Sequence, residues 1–316
     1  MGLTILIIGA TGFVGRHLID LLKLSDFKIY GTCFPEDPEH CQSLNGVDLI
    51  YLDLRKEKEV AKVVRATKAD SIVHLAAISS VGYSWKHRKE TVETNLMGTF
   101  SILESIRRNA TQARLLFVSS SEVYGLLEPI ERPLKEDNPL KIVSPYSFTK
   151  VSCELLCEFY TQIDNLDIVI SRSFPHTGPG QSVDFVFSDW AYQIAKIEKG
   201  SAEPIIKTGN LDIRRDYTDV RDVVRAYILL LEKGKKGEVY NVCSGTAYSL
   251  KEFLDILLSY SSKKINVQVK QEKLRETDIP LLVGDNQKIK KETNWAPEIP
   301  IKKTLAELLD YWRGKV

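Results

Sequence analysis

The sequence predicts an α/β protein: a Rossmann-type, doubly wound parallel sheet joined to a smaller C-terminal α/β substrate domain. Short β-branched runs alternate with amphipathic segments through the first half of the chain, the pattern of βαβ units with helices on both faces of a sheet. Ile5-Leu6-Ile7-Ile8 runs directly into Gly9-Ala10-Thr11-Gly12-Phe13-Val14-Gly15, and an amphipathic segment follows. Strand, glycines and helix thus stand in the order a dinucleotide-binding turn requires. The length of 316 residues, at roughly 150 per domain, leaves room for about two cores.

Taken in order, strands are expected at Thr4 to Ile8, Lys28 to Thr32, Asp48 to Tyr51, Ser71 to Leu75, Arg114 to Ser119 and Leu166 to Arg172. Helices fall between them at Phe13 to Lys23, Lys56 to Ala66, Lys89 to Arg108 and Pro145 to Thr161. Beyond Ser173, the Gly/Pro-rich stretch Phe174 to Gly180 reads as a loop leaving the sheet. Helices at Phe185 to Lys199, Asp219 to Leu231 and Leu250 to Ser259, and a strand at Val239 to Val242, come after it. The Asp219 helix and the Val239 strand are apolar enough to return to the first sheet. A discontinuous division is therefore expected: residues 1–174 with 211–248 bind the dinucleotide, and 175–210 with 249–316 bind the substrate.

Charge and composition exclude several classes of function. The 43 Lys plus Arg residues oppose 42 Asp plus Glu, a formal net charge of +1, which gives neither nucleic acid nor an anionic membrane a reason to bind. With 43% hydrophobic and 27% charged residues the composition is that of an ordinary soluble globular protein. No apolar run approaches the roughly 18 residues that span a bilayer, and Met1-Gly2-Leu3-Thr4 lacks the charged and apolar regions of a secretory signal. A cytoplasmic location is expected. Cys33, Cys41, Cys153, Cys157 and Cys243 form an odd, scattered set, so free thiols are expected. With no CxxC pair and dispersed histidines, no metal is expected.

In the glycine loop, Gly9 permits the tight turn, Gly12 lets the backbone approach a pyrophosphate, and Gly15 allows close helix packing. Thr11, Phe13 and Val14 complete the loop beside the amide donors of the helix N-terminus. The second strand ends at Thr32, with Glu36 standing late for a ribose 2′-hydroxyl and no Arg at hand for a 2′-phosphate. Asp53 follows the third strand, where it reaches the adenine edge or caps the helix near Lys56. The cofactor is NADP(H) or NAD(H), and the missing ribose-binding acid leans towards NADP(H).

Ser144-Pro145-Tyr146-Ser147-Phe148-Thr149-Lys150 places Tyr146 and Lys150 on one face of a helix with Pro145 in its first turn. A phenol of pKa near about 10 needs a neighbouring cation to serve as an acid or base at neutral pH. Upstream, Ser119-Ser120-Ser121-Glu122-Val123-Tyr124-Gly125 leaves the end of a strand, the rim where open α/β sheets bind ligands. Ser120 is the hydroxyl chosen to bind the reacting oxygen. Alone, the Tyr and Lys pair reads as a helical surface pair and the serines as a turn. Jointly with the glycine loop they are specific.

With these residues the sequence resembles the extended short-chain dehydrogenase/reductase family over essentially its whole length. The resemblance rests on Gly9 to Gly15, Asp53, His74-Leu75-Ala76-Ala77, Asn95, Ser119 to Gly125, Tyr146 with Lys150, and Arg172. It implies a catalytic set of Ser120, Tyr146 and Lys150, with Glu122 beside it. Leu54, Leu75, Ala76 and Ala77 would join the cofactor site, while Asn95 would be mainly structural. The family also commonly pairs the Lys89 to Arg108 and Pro145 to Thr161 helices across a twofold axis, which implies a homodimer. Against that, Leu155, Leu156 and Phe159 could all face this chain's own sheet.

Within the family, Phe174-Pro175-His176-Thr177-Gly178-Pro179-Gly180-Gln181, Gly209 to Tyr217 and Leu274 to Asp285 are most similar to the GDP-mannose branch. That resemblance implies reduction of the C4 ketone of a GDP-4-keto-6-deoxy sugar, giving GDP-D-rhamnose. The alternative is 4,6-dehydration of GDP-mannose, or another nucleotide-sugar epimerase or dehydratase activity. A non-catalytic cofactor-binding regulatory protein is the rival from another class, but its expected sign, a broken catalytic set, is missing. Ser79, Ser80, Ser121, Glu122 and His176 would meet the substrate. Arg215 and Arg275 are the candidate diphosphate clamps, since a guanidinium fork matches phosphate oxygens; the bland reading pairs them with Asp216 or Glu276. Pro175 stands where the family usually has Asn, removing an amide that would position the substrate.

Overall fold

In the computed structural model, which describes residues 2–35, 41, 44–109, 112–126, 133–271 and 279–316, β1 (Thr4–Ile8) lies inside a seven-stranded sheet, next to its middle strand. The chain turns through α1 (Phe13–Leu22) into β2 (Lys28–Cys33) and then β3 (Asp48–Tyr51) on one side of β1. It then crosses by α2 (Glu57–Thr67) to the other side, where β4 (Ser71–His74), β5 (Arg114–Ser120) and β6 (Ile168–Ser173) follow in turn. All these pairings are parallel. The order reverses between β1 and β4, so the carboxyl ends of these strands open a crevice of the kind that binds ligands. Every residue of β6 is buried, as a central parallel strand requires.

Between β4 and β5 the expected single helix is interrupted. α3 (Val81–Lys86) and α4 (Arg88–Thr91) precede a π-helical turn at Val92–Met97, which continues into α5 (Gly98–Asn109). The widened turn carries Asn95, whose side chain accepts from the Ile78 amide at 2.8 Å and donates to the Ile78 carbonyl at 3.1 Å and to Thr149 Oγ1. After β5, a 3₁₀ turn at Ser121–Tyr124 leads on to α6 (Pro145–Ile163).

Beyond β6 the chain alternates between the sheet and a second layer. β7 (His176–Thr177), α7 (Val186–Glu198), β8 (Ile205–Thr208), β9 (Arg214–Asp216) and β10 (Thr218–Asp219) lead to α8 (Val220–Lys233). β11 (Val239–Val242) then pairs with β6 and becomes the last strand of the large sheet. β12 (Ala247–Ser249), α9 (Leu250–Ser259), β13 (Asn266–Val269), β14 (Leu281–Leu282), α10 (Gln287–Thr293) and α11 (Ile301–Arg313) complete the chain. β12, β9 and β14 form a small mixed sheet, while β13 pairs with β8 and β10 with β7.

Four apolar clusters lie among the described residues, the smallest gathering Val123, Tyr124, Phe174 and Leu282. One face of the large sheet packs Val60, Ile102 and Tyr160 from α2, α5 and α6; the other packs Leu18 and Val223 from α1 and α8. The third core, with Trp190, Phe253 and Leu308, lies among α7, α9 and α11. Two expectations are corrected. Cys33 and Cys41, whose Cα atoms lie 5.7 Å apart and so within bridging distance, form a disulfide; Cys153, Cys157 and Cys243 are free and buried. Leu155 and Phe159 do not face the sheet, being 59% and 52% exposed, and only Leu156 packs against the core.

Candidate active site

A cleft of about 1250 Å³ runs along the carboxyl rim of the large sheet, from the glycine loop to the second layer. Gly9 sits at φ +93°, and a Cβ there would lie 2.8 Å from the Ala76 amide nitrogen. A Cβ at Gly15 would lie 2.5 Å from the carbonyl oxygens of both Gly9 and Ala10. Gly12 differs: its nearest neighbour would be the Gly9 oxygen at 3.4 Å, so packing does not demand glycine and the bare backbone is left facing the cleft. Gly12 also N-caps α1 with no side-chain cap, leaving first-turn amides for an anion. These residues fit a dinucleotide pyrophosphate.

Thr32 braces this loop, its Oγ1 accepting from Gly9 N at 3.0 Å and its carbonyl from Ala10 N at 2.9 Å. Asp53 does not cap α2, whose N-cap is Lys56 without a side-chain bond. Its carboxylate grips Arg55 instead, accepting from Nε at 2.9 Å and NH2 at 2.8 Å, and these bonds hold it below the usual carboxylate range. Arg55 also lines the cleft, its guanidinium 5.5 Å from the Phe34 ring centre. Sequence reasoning passed over this arginine, although its place two residues after Asp53 was legible. Glu36 lies outside the described residues. Leu54, Leu75, Ala76, Ala77, Ser79 and Ser80 line the cleft.

β5 delivers Ser120 to the rim, where its Oγ caps the 3₁₀ turn by accepting from Glu122 N at 3.2 Å. α6 starts with a reciprocal Ser144 and Ser147 capping box and Pro145 in the first turn, which fixes where Tyr146 and Lys150 emerge. Burial raises the Tyr146 phenol strongly, the neighbouring Ser120 hydroxyl lowers it and Glu122 raises it. It is therefore a protonated acid at neutral pH. Lys150 Nζ donates to the Val118 carbonyl at 2.7 Å, and burial pulls the ammonium below its ordinary value. Glu122 lines the cleft as well.

The remaining candidates are scattered. His176 is stacked on Phe13 with ring centres 6.3 Å apart and donates from Nδ1 to the Phe174 carbonyl at 2.9 Å, while burial lowers its pKa. Arg215 lines the second-layer wall, donating to the carbonyls of Arg214 and Ile279 at 2.9 and 2.5 Å. Asp216 is bonded elsewhere, to Ser244, Gly245 and Gly284. Ser121 is buried and does not line the cleft, because the 3₁₀ turn rotates it inward. Arg275 and Glu276 lie outside the described residues. Among the described residues no group of three or more His, Cys, Asp or Glu side chains is arranged to hold a metal ion, and no helix is long and apolar enough to cross a membrane.

A parallel sheet with a glycine turn at its switch point, and Ser, Tyr and Lys gathered on the same rim, define a Rossmann-fold NAD(P)-binding oxidoreductase of the extended short-chain dehydrogenase/reductase superfamily, acting on a nucleotide sugar. The chain belongs to the family described as GDP-mannose 4,6 dehydratase, whose model matches residues 6–308. It is similar to the GDP-6-deoxy-D-mannose reductase of Pseudomonas aeruginosa, at 30% identity over 247 residues, 78% of this chain and 81% of that protein. It is also similar to the GDP-mannose 4,6 dehydratase of Drosophila melanogaster, at 25% identity over 338 residues, 96% of this chain and 84% of that protein. Among solved structures, RMD from Pseudomonas aeruginosa complexed with NADPH superposes with a TM-score of 0.86 at 27% identity, covering 99% of this chain and 100% of the other.

Proposed function

We propose that the chain reduces the C4 ketone of a GDP-linked 4-keto-6-deoxyhexose, giving GDP-D-rhamnose, with NADPH or NADH as reductant. The observation that carries this reading is the gathering of Ser120, Tyr146 and Lys150 on one rim of the cleft, with Lys150 one helical turn beyond Tyr146. When bound, the dihydronicotinamide supplies a hydride to the sugar C4. Ser120 donates to the ketone oxygen and orients it, while Tyr146 delivers the proton that completes the alcohol. Lys150 supports the phenol and the nicotinamide ribose, and Arg215 clamps the substrate diphosphate. The sheet unit, 1–174 with 211–248, holds the cofactor, and 175–210 with 249–316 hold the sugar nucleotide. A self-complementary stripe on α6, with Phe148, Leu155, Phe159 and Ile163 all exposed, suits a C2 homodimer.

A second reading is 4,6-dehydration of GDP-mannose. The family description and relatives from Drosophila melanogaster, Vibrio cholerae, Homo sapiens, Cricetulus griseus and Yersinia enterocolitica bear that name, and Glu122 puts a carboxylate near Tyr146 that would take the C5 proton. In the other direction, a dehydratase alignment of 338 positions exceeds this chain's 316 residues, so that enzyme carries segments missing here. The deciding experiment supplies purified protein with GDP-mannose alone, or with GDP-4-keto-6-deoxymannose plus NADPH or NADH, and identifies the products. Ketone reduction is expected only in the second mixture. Consumption of GDP-mannose without added reductant would sink the reductase reading. Glu122→Gln keeps ketone reduction if the proposal is right, and abolishes turnover with substrate binding intact if elimination is the reaction.

A further inference from the structure

Three consecutive residues at the end of β5 each meet the catalytic face of α6. The Val118 carbonyl accepts from Lys150 Nζ at 2.7 Å, Ser119 Oγ donates to Glu154 at 2.5 Å, and Ser120 stands beside Tyr146 on the rim of the cleft. Glu154 stands one helical turn beyond Lys150, as Lys150 stands one turn beyond Tyr146. It is 5% exposed, and so is Arg172 on β6, which reaches it with Nε at 3.1 Å and NH2 at 2.8 Å. Arg172 is fixed in turn by the Tyr124 hydroxyl and the Glu136 carbonyl.

Burial disfavours a charged Lys150, so an ammonium there needs a counter-charge. Cys153 and Cys157 share its face of α6, but burial raises both thiols and leaves them uncharged at neutral pH. His74 on β4 is held neutral by burial, its pKa lowered to about 3. Phe117 on β5 offers only its ring face, 5.0 Å away. Burial also keeps the Tyr146 and Tyr227 phenols protonated, and Glu122 acts on Tyr146 from the cleft side. The anion acting on Lys150 is therefore Glu154, itself paired with Arg172.

We propose that Glu154 is a positioning residue for the reaction: its carboxylate keeps Lys150 an ammonium inside the core and pins the end of β5 to α6, while Arg172 and Ser119 hold it in place. The proposal rests on the reading of Tyr146 and Lys150 given above. A purely structural ion pair would suffer alike from loss of either partner, whereas an electrostatic role depends on the charge at 154 alone. The test compares the pH dependence of kcat for ketone reduction across four variants. Glu154→Gln, and the double variant Glu154→Gln with Arg172→Met, should move the alkaline limb down by about one pH unit. Glu154→Asp and Arg172→Met keep the carboxylate and should not lower the limb, whatever they do to kcat. The double variant leaves no unpaired buried charge, so it carries the test if Glu154→Gln does not fold. Affinity for NADPH, followed by its fluorescence against pH, should show the same ranking without any sugar substrate. If the wild type binds NADPH but reduces no ketosugar, the functional reading fails and the affinity series still reports on Glu154. An unmoved limb in the charge-removing variants, or an equal lowering in Arg172→Met, overturns the proposal.

Discussion

Gly12→Ala and Gly15→Ala should separate cofactor binding from packing within one loop. A methyl at 15 meets two carbonyl oxygens at 2.5 Å and the Ala10 carbonyl carbon at 2.7 Å. All three are backbone atoms, so α1 must lift away from the loop by nearly 1 Å to restore contact, an overpacking that costs about 1–3 kcal/mol. For a protein of this size that is a fall in Tm of roughly 1.5 to 5 °C. A methyl at 12 meets only Gly9 O at 3.4 Å, and the residue's φ of −69° and ψ of 171° suit alanine. Apo stability should therefore stay within about 1 kcal/mol of wild type, since the chain-entropy gain offsets the weaker N-cap. The methyl nonetheless occupies the surface a pyrophosphate would approach, so NADPH affinity should fall at least about tenfold, ~1.4 kcal/mol. Thermal unfolding without ligand and fluorescence titration with NADPH measure the two effects. A Gly12→Ala variant that binds NADPH as well as wild type would refute the placement of the phosphates on this loop.

Tyr146→Phe keeps the ring and deletes the proton donor, so kcat should fall at least about a hundredfold with little change in cofactor affinity; Lys150→Met should harm both, and equal small losses would remove the assigned roles. Arg215→Lys keeps charge but loses the two-pronged donor, raising KM for the nucleotide sugar while NADPH binding holds, and an unchanged KM would release Arg215 from the diphosphate. Light scattering at micromolar concentration should give twice the chain mass, and a monomeric mass excludes the α6 interface. Arg313 holds Glu198 down to about 2, so its contribution is complete above the unfolded carboxylate pKa near 4.5 and is lost as pH falls towards 2. Glu198→Gln should therefore flatten the decline of Tm between pH 5 and 2.5, and a decline as steep as wild type's would exclude this linkage.

Elements whose cause is local were legible in the sequence. β1, β3, β11 and α9 lie where apolar alternation and capping residues put them, Ser249 for α9 being an example. The π turn at Val92–Met97 was hidden because one extra residue leaves the apolar spacing on either side nearly helical. β7, β10 and β14 have two residues each, and their partners are distant in sequence, so no period could announce them. α11 could have been found from Ile301, Leu305, Leu308 and Leu309, an i, i+4, i+7, i+8 stripe. The Cys33 and Cys41 bridge depends on a Cα separation of 5.7 Å, which a spacing of eight residues in the sequence does not specify. Ser120, Tyr146 and Lys150 stood out because their chemistry is local to two short motifs, whereas Glu154 reads as one more helical carboxylate until β6 brings Arg172 to it.

The geometry of the cleft depends on a segment that looked like a simple return to the sheet. Asp216, Asp219 and Asp222 fall three residues apart, and each is buried and bonded to a different part of the chain. Asp216 accepts from the amides of Ser244, Gly245 and Gly284, joining the end of β11 to the stretch after β14. Asp219 caps α8 through Arg221 N and takes the Thr304 hydroxyl of α11 at 2.7 Å. Asp222 accepts from Glu298 N and Ile299 N, fixing the chain just before that helix. A buried carboxylate left without such donors would be costly, so the second layer cannot shift on the sheet without breaking several charge-assisted bonds at once. Arg215 is covalently next to the first of these anchors. Its distance from Tyr146 across the cleft is thus set by the return segment rather than by the flexible reach of an arginine, which is the preorganisation a positioned diphosphate needs.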